Sequence, residues 1–308
     1  MLPVRLVFVA LLLFPFVQDS GPAFLRWSAE DLSERNVALS TQMRSDQSAR
    51  ETLAEYGNPT GAHRIRFIRR DADGVPEQHV AIEDVVFVQS GAGRVVVGGE
   101  LIGRTGGSGE YRGTDIEGGL EYAVGAGDVI HIPANVPHRY LVPDGGHVTY
   151  VLVRLPALTE AVVPDDAPVL TFDPPGFAIW SESELQKRHV ALTGQLRSDR
   201  SARETLADFG SPTRSHRFRY IHRDAEGGPE IHDEIIDLVF VKSGAGMVVV
   251  GGEMLNRRGS LGSGIAGGIE YPVAAGDVLH IPAKTPHGYL IPDGGHITYV
   301  LVRVPAFG

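Results

Sequence analysis

The amino-acid sequence predicts an all-β protein built from two similar domains. The chain of 308 residues matches itself at an offset of 153, so that Trp27 corresponds to Trp180. Each copy carries short runs rich in Val, Ile, Phe and Tyr, bounded by Gly and Pro turns, a pattern typical of an antiparallel sandwich or barrel. Each copy is also long enough to bury a core of its own.

The N-terminal segment is distinct from the two copies. A basic residue, Arg5, precedes the apolar run Leu6–Val17, and small residues stand at Gly21 and Ala23. This order is typical of a secretory signal peptide and predicts a secreted or periplasmic protein. The run of 12 residues is too short to cross a hydrocarbon core of ~30 Å as a helix. The alternative is an uncleaved N-terminal anchor.

The internal repeat is most exact in two stretches. Asp84–Glu100 and Asp237–Glu253 agree at 14 of 17 positions, and Gly127–Pro156 and Gly276–Pro305 agree at 23 of 30. The second pair has an offset of 149, so the second copy has lost four residues after Glu253. A Pro-rich stretch separates the copies. We therefore predict a signal peptide at 1–23, a first domain at 24–156, a linker at 157–179 and a second domain at 180–308.

Each copy begins with the signals of a helix. Ser28 and Ser181 each stand three residues before an acidic residue, which is the spacing of a capping box. The sequence predicts a second short helical stretch in each copy, at Ser48–Tyr56 and Ser201–Phe209, because a glycine follows as a C-terminal cap.

Strands are predicted after these helices. In the first copy they are Asp84–Val88, Arg94–Val97, Asp128–Ile132 and Val148–Arg154. Turns are predicted at Ser-Gly-Ala-Gly (90–93) and Pro-Asp-Gly-Gly (143–146).

Composition excludes several classes of site and partner. The chain has no cysteine, so disulfides, thiolate metal sites, Fe–S clusters and a cysteine nucleophile are excluded. Any metal must be held by His, Asp or Glu. The formal net charge of −10 argues against nucleic acid and, after signal cleavage, against a membrane surface as partner. The expected partner is a small molecule, and a homo-oligomer is possible.

Two blocks in each copy resemble the two conserved motifs of the cupin superfamily. The first block contains Glu77, His79, Asp84 and Gly91, and again Glu230, His232, Asp237 and Gly244. The second block extends from Gly127 to His138, and again from Gly276 to His287. Relative to the usual first motif, Glu replaces its first His and Asp replaces its Glu. The resemblance implies a secreted bicupin, with two double-stranded β-helix (jelly-roll) domains that each carry a short N-terminal helical segment.

The chemistry of these blocks favours a metal site. Glu77 and His79 are two residues apart, so on an extended strand both side chains point to the same side. Two imidazoles and one carboxylate suit Fe(II) and related metals with open coordination positions. Fe, Mn, Zn, Ni and Co all remain candidates. The candidate ligands are Glu77, His79, Asp84 and His138 in the first copy and Glu230, His232, Asp237 and His287 in the second.

Two of these candidates have simpler interpretations. Asp84 lies five residues after His79, so it has the opposite strand parity unless the intervening turn resets it. It could instead cap a turn, and Glu77 could be a solvated loop carboxylate.

Candidate catalytic residues come from two other places. His131 lies in an apolar strand and could act as an acid, a base or a ligand if its face is the barrel lumen; otherwise it is a hydrogen-bonded core or surface histidine. The Gly-rich segment 106–119 carries Glu110 and Arg112, both lost in the second copy. We expect either a lid over the barrel mouth or a plain hairpin. Arg64 and Arg66 are expected on a solvated strand face, although one could pair with a substrate carboxylate.

The leading hypothesis is a secreted, metal-dependent enzyme that acts on a small polar metabolite. The resemblance implies an oxygenase, isomerase or lyase type of activity, and the charged segment 106–119 favours the first domain as its location. The alternative is a non-catalytic bicupin that binds a carbohydrate or another small ligand, or a structural bicupin.

Overall fold

The computed structural model describes residues 24–56, 63–158, 174–211 and 214–306. The predicted signal peptide and most of the predicted linker lie outside the described residues. Within the described part of the chain, no helix has the length and apolar character needed to cross a membrane.

The described chain is mostly β-strand. In chain order, the elements of the first half are β1 Leu25–Trp27, α1 Ala29–Ser40, β2 Ser48–Tyr56, β3 His63–Arg70, β4 Glu77–His79, β5 Ile82–Val97, β6 Glu100–Ile102, β7 Thr105–Gly107, β8 Glu110–Arg112, β9 Asp115–Glu117, β10 Leu120–Gly125, β11 Val129–Ile132, β12 His138–Leu141 and β13 Val148–Pro156. Those of the second half are β14 Ala178–Trp180, α2 Glu182–Thr193, β15 Ser201–Ser211, β16 Arg214–Arg223, β17 Ile235–Val250, β18 Glu253–Leu255, β19 Gly264–Ala266, β20 Ile269–Ala274, β21 Val278–Ile281, β22 His287–Leu290 and β23 Ile297–Pro305.

One long strand belongs to both sheets of each domain. The first half of β5 pairs with β13 and β11, and its second half pairs with β10 and β12. The first sheet therefore has the order β2-β3-β13-β5-β11, and the second has the order β10-β5-β12-β4-β8-β7. In the second domain β17 pairs in the same way with β23, β21, β20 and β22. The two domains are double-stranded β-helices, as predicted.

The predicted turn at 90–93 is wrong, because these residues lie inside β5. The pairing with β13 shifts register between Thr149 and Tyr150, so a bulge redirects the strand from one sheet to the other. Gly91 adopts a φ of 76°, and a Cβ there would lie 1.9 Å from the His147 carbonyl oxygen. The glycine therefore allows the backbone before β13 to approach closely beside the bulge, and it does not end the strand.

The first helix of each copy is where the sequence predicts it. The Ser28 hydroxyl accepts from the Asp31 amide at 3.0 Å, and the Asp31 carboxylate accepts from the Ser28 amide at 3.0 Å, which completes a capping box. At the start of α2, Ser181 accepts from the Glu184 amide at 3.2 Å, but the Glu184 carboxylate accepts from Arg188 instead.

The predicted second helix is wrong in both copies. Ser48–Tyr56 and the residues from Ser201 form the edge strands β2 and β15, paired with β3 and β16. Their Ala, Glu and Leu residues favour a helix in isolation, but tertiary pairing with an adjacent strand outweighs that propensity. Ala49 is buried where β2 packs against the core.

The first half of β5, which carries Asp84, is buried on both faces. Val86 and Val88 of β5 face the lumen of the first barrel. Val85 and Phe87 face the second domain, and Phe87 stacks on Phe240 at a ring-centroid distance of 4.8 Å. Burial of each such large apolar side chain contributes about 1.5–3 kcal/mol. The domains therefore pack sheet against sheet through a shared apolar core.

The two domains also exchange their first strands. Strand β1 pairs with β21 of the second domain, whereas β14 pairs with β11 of the first. The side chain of Asp277 accepts from the Ala29 amide at 2.9 Å, and that of Asp128 accepts from the Glu182 amide at 2.7 Å. Each helix thus starts on an aspartate of the opposite domain. Phe177, which the sequence analysis placed in the linker, is fully buried in the first barrel.

Candidate metal centres and the adjoining cavity

Four side chains meet inside the first barrel. Glu77 and His79 come from β4, Asp84 from the start of β5 and His138 from the start of β12. His138 Nε2 lies 3.5 Å from Asp84 Oδ2 and 3.9 Å from Glu77 Oε1, and His79 Nε2 lies 3.7 Å from Glu77 Oε2. The ligands of one metal ion with bonds of ~2.1 Å lie roughly 3–4 Å apart, so this spacing fits a shared ion.

The structure brings Asp84 to this cluster although its sequence parity is opposite to that of His79. Residues 80–81 separate β4 from β5, so the alternation of side chains starts again at β5. Asp84 then shares the lumen face with Val86, and it is buried. Its Oδ2 lies 3.8 Å from His79 Nε2.

The second barrel contains the equivalent cluster. Potential ligand atoms of Glu230, His232, Asp237 and His287 all lie within 4.8 Å of one another. In the first barrel the same distance holds among Glu77, His79 and His138, but it does not include Asp84. In the described part of the chain, the buried His287 Nε2 has no hydrogen-bond partner. A buried imidazole nitrogen with carboxylates 3.4 and 3.8 Å away suits a cation.

Backbone carbonyls fix the tautomers of two histidines. His138 Nδ1 lies 3.0 Å from the Val136 carbonyl oxygen, and His287 Nδ1 lies 3.0 Å from the Thr285 carbonyl oxygen. Since a carbonyl can only accept, each Nδ1 carries a proton, so in the neutral form of each ring Nε2 presents a lone pair to the cluster. This is the usual second contact of a metal-ligating histidine.

An arginine that the sequence analysis did not single out lies in each cluster. Arg154 donates to His79 Nε2 at 2.7 Å, and its Nε is 3.4 Å from Asp84 Oδ1. Arg303 donates to His232 Nε2 at 2.8 Å in the second barrel. Each arginine interrupts the apolar strand that ends its domain, and that interruption is the signal which could have revealed it. A metal at His79 or His232 therefore requires its arginine to move away from the nitrogen.

The charges of the cluster keep its carboxylates ionised. Burial raises the pKa of Asp84, but the positive charge of Arg154 beside it outweighs burial and holds that pKa well below its usual range. Burial also raises the pKa of Glu77, but His138 and His79 outweigh burial and lower that pKa below its ordinary value. Burial lowers the pKa of His138, but Asp84 and Glu77 outweigh burial and raise that pKa above its ordinary value. Anionic oxygens are the donors that hard divalent metals prefer.

A cavity of about 560 Å³ opens onto the first cluster, a size typical of a small-molecule site. Its lining consists of Arg50, Arg64, Arg66, Glu77, His79, Ile82, Thr105, Gly106, Glu110, Tyr111, Arg112 and Arg154. Glu110 Oε2 lies 2.9 Å from His79 Nδ1, and Arg112 is in register with Glu77. The segment 106–119 is not an irregular lid, since β7 and β8 form a hairpin that extends the sheet through β4.

The hypothesis that His131 faces the lumen is wrong. Its neighbours Ile130 and Ile132 face the first barrel, so His131 points to the opposite face, toward the second domain. There His131 Nε2 lies 3.1 Å from Glu83 Oε2, which is also 2.8 Å from His216 Nδ1. His131 is a buried interface residue, outside the cluster and the cavity.

The predicted solvated face of β3 is also wrong. Ile65 and Phe67 pack in the apolar core between the domains, so the alternating Arg64 and Arg66 face the barrel and line the cavity. Burial, together with the charges of Arg154, Arg64 and Arg50, lowers the pKa of Arg66 to about 10.

Comparison with known proteins identifies the fold. No protein-family model and no curated protein sequence matches the chain. Among solved structures, a Pseudomonas aeruginosa protein described as glyoxylate induced matches with 14% identity and a TM-score of 0.53, over 99% of this chain and 92% of that one. Salicylate 1,2-dioxygenase from Pseudaminobacter salicylatoxidans matches with 13% identity and a TM-score of 0.57, over 94% and 87%. A cupin 2 conserved barrel domain protein from Leptotrichia buccalis has 11% identity and a TM-score of 0.48, over 87% and 94%. The two matches with a TM-score above 0.5 show a shared fold, the tandem pair of double-stranded β-helix barrels described above.

Proposed function

We propose that this two-domain cupin protein is a metal-dependent enzyme whose first barrel transforms a small polar molecule. One observation carries the proposal: the cluster of Glu77, His79 and His138 borders a cavity large enough for a metabolite. A buried donor set that opens onto a polar cavity is the usual arrangement of an active site.

A divalent metal in this cluster would supply a Lewis acid and an open coordination position for the substrate. Glu77, His79, Asp84 and His138 would hold it. Glu110 contacts Nδ1 of His79 at 2.9 Å and so orients that ring. Arg154 contributes a permanent positive charge beside Glu77 and Asp84. Fe, Mn, Zn, Ni and Co all remain candidates for the metal.

An oxygenase, isomerase or lyase activity is proposed, as in the sequence analysis. The similar fold of a salicylate 1,2-dioxygenase is compatible with the first class, but one fold hosts many reactions. The arginines that donate to His79 and His232 favour a second candidate. Because Arg154 and Arg303 donate hydrogen bonds to those imidazole nitrogens, the nitrogens have a partner without a metal ion. The alternative is therefore a non-catalytic protein that binds a small ligand.

Metal analysis of the purified full-length protein tests the proposal. After expression in metal-supplemented medium we expect a divalent transition metal in each barrel. His138→Ala should lose the ion of the first barrel and His287→Ala that of the second, each by removing one ligand. Less than about 0.2 equivalents of metal in the unmodified protein, with no rebinding after dialysis against the metal, would favour the non-catalytic alternative. A structural metal site has a binding free energy of ~10 kcal/mol or more, so an intact site should retain its ion.

We also propose export, gene duplication and the boundaries given above. The N-terminal 23 residues have the order of a signal peptide. The repeated sequence supports an internal duplication into domains 24–156 and 180–308. N-terminal sequencing of exported protein should find a mature chain that begins close to Phe24. An intact Met1 would instead support the anchor.

A further inference from the structure

We propose that the cavity of the first barrel binds a small organic carboxylate through the guanidinium groups of Arg50, Arg66 and Arg112. The inference rests on the proposed function only for the reaction that follows binding. It concerns the substrate class, and the binding itself can be measured without a metal.

The charge of the cavity is the first argument. Five arginines line it against two glutamates, although the whole chain has a net charge of −10. Arg64 is paired with Glu55 outside the cavity, and Arg154 lies beside Glu77 and Asp84. Cationic charge is therefore concentrated at one place on an acidic protein, which attracts an anion to that place.

The ion pairing of the remaining three arginines is the second argument. In the described part of the chain, no carboxylate forms an ion pair with Arg50, Arg66 or Arg112. The lowered pKa of Arg66, about 10, has burial as its main cause and the charges of Arg154, Arg64 and Arg50 as the next. The pKa of Arg50 is lowered too, first by burial and then by the charges of Arg44 and Arg112. Guanidinium groups that repel one another are stabilised when an anion binds between them.

The remaining lining selects a carboxylate attached to carbon. Arginine matches a planar carboxylate with two parallel hydrogen bonds. The side chains of Ile82 and Tyr111 give the same cavity an apolar surface, which suits the carbon part of an organic acid. Inorganic phosphate would use the arginines but gain nothing from that surface.

The second barrel supplies a matched internal control. Arg217, Arg219 and Arg303 repeat Arg64, Arg66 and Arg154. However, the residue opposite Glu230 is Leu261, whereas the residue opposite Glu77 is Arg112. The second barrel therefore has a leucine at the position that Arg112 occupies in the first barrel.

The experiment is titration calorimetry of the full chain, freed of metal by chelation and dialysis, with succinate, acetate and inorganic phosphate at constant ionic strength. We expect one strong succinate site per chain and weaker binding of phosphate. Arg66→Gln and Arg112→Ala should each weaken succinate binding about tenfold or more, the typical effect of losing a charge-assisted hydrogen bond. Arg219→Gln, at the equivalent position of the second barrel, should change it less than about twofold. Arg112 lies on an exposed hairpin, so its variant remains informative if Arg66→Gln fails to fold.

Three results would overturn the proposal: no succinate binding at millimolar concentration, phosphate binding at least as tight as succinate, or equal losses in the Arg66 and Arg219 variants. Failure of this inference is separable from failure of the proposed function. A chain that binds succinate but never loads metal retains the carboxylate site and loses the metal-dependent activity. A chain that loads metal but binds no carboxylate does the reverse.

Discussion

The residue opposite the glutamate of the candidate metal cluster differs between the two barrels. Arg112 stands opposite Glu77 on a regular hairpin, and Leu261 stands opposite Glu230 in a shorter loop. Inside the barrels the contacts are nearly the same: each has two histidines, two carboxylates and an arginine that donates to one imidazole. The scaffold thus preserves the cluster, whereas the segment over the mouth varies. The residues around the two clusters therefore differ most in this variable segment.

A second asymmetry lies in the interface between the domains. Glu83 is bracketed by His131 and His216, with oxygen–nitrogen distances of 3.1 and 2.8 Å. At the equivalent place in the second copy the residue is Ile236, and His63 and His280 face each other with their Nε2 atoms 3.1 Å apart. One side of the interface is therefore ionic and the other is a pair of imidazoles.

The largest expected effect tests which barrel is active. Once an activity is found, His138→Ala should lower kcat/KM by about 100-fold or more, since it removes a ligand beside the cavity. His287→Ala should leave it within about threefold and instead remove metal from the second barrel. Equal losses in the two variants, or a greater loss from His287→Ala, would contradict the asymmetry.

The ionic side of the interface should dominate stability. Glu83→Ala removes the carboxylate between two buried imidazoles and should lower the free energy of unfolding by about 3 kcal/mol. The matched change Ile236→Val should cost about 1 kcal/mol. Urea denaturation followed by fluorescence measures both. Similar losses in the two variants would mean that the two sides contribute alike.

The imidazole side should make stability depend on pH. Burial lowers the pKa of His63 to about 4, so the folded state favours the neutral ring and the unfolded chain binds more protons. Its contribution is complete above the unfolded pKa of 6.5 and is lost as the pH falls toward 4. At pH 5 the loss is about 2 kcal/mol. A His63→Phe variant should lose less stability than the wild type between pH 7 and pH 5, and an unchanged pH dependence would exclude His63 as its source.

The smallest effect concerns the hairpin over the mouth. Replacing Glu110 and Arg112 together with alanine should lower kcat/KM about tenfold, because the cavity loses one anchor and His79 loses the carboxylate beside its Nδ1. Metal content should stay unchanged, since neither residue belongs to the ligand cluster. Loss of the metal together with the activity would assign Glu110 to the metal site.

The sequence allowed the members of the candidate metal clusters to be predicted but not the faces on which other residues lie. Glu77 and His79 were predictable because period-2 spacing on one strand is a local property. His131 was not, since its strand is buried on both sides and apolar residues occupy both faces, so alternation gives no direction. For the same reason, the sequence did not predict that Arg66 and Arg154 line the cavity, because this depends on which face of β3 and β13 encloses the lumen. Ser48–Tyr56 was assigned to a helix because strand pairing with β3 is a distant interaction that local propensity does not record.

The exchanged strands β1 and β14 have a consequence for the synthesis of the chain. Arg26 reaches Asp277 across 251 residues of sequence, with Nε and Oδ2 3.0 Å apart. Among the described residues, the edge of β21 pairs with β1, which precedes the first barrel in the chain, and the edge of β11 pairs with β14, which follows that barrel. Contacts so distant in sequence slow folding, because a long loop must close before they form. A chain that ends before β14 therefore leaves the edge of β11 open, and a chain that lacks β1 leaves the edge of β21 open, each able to pair with another chain.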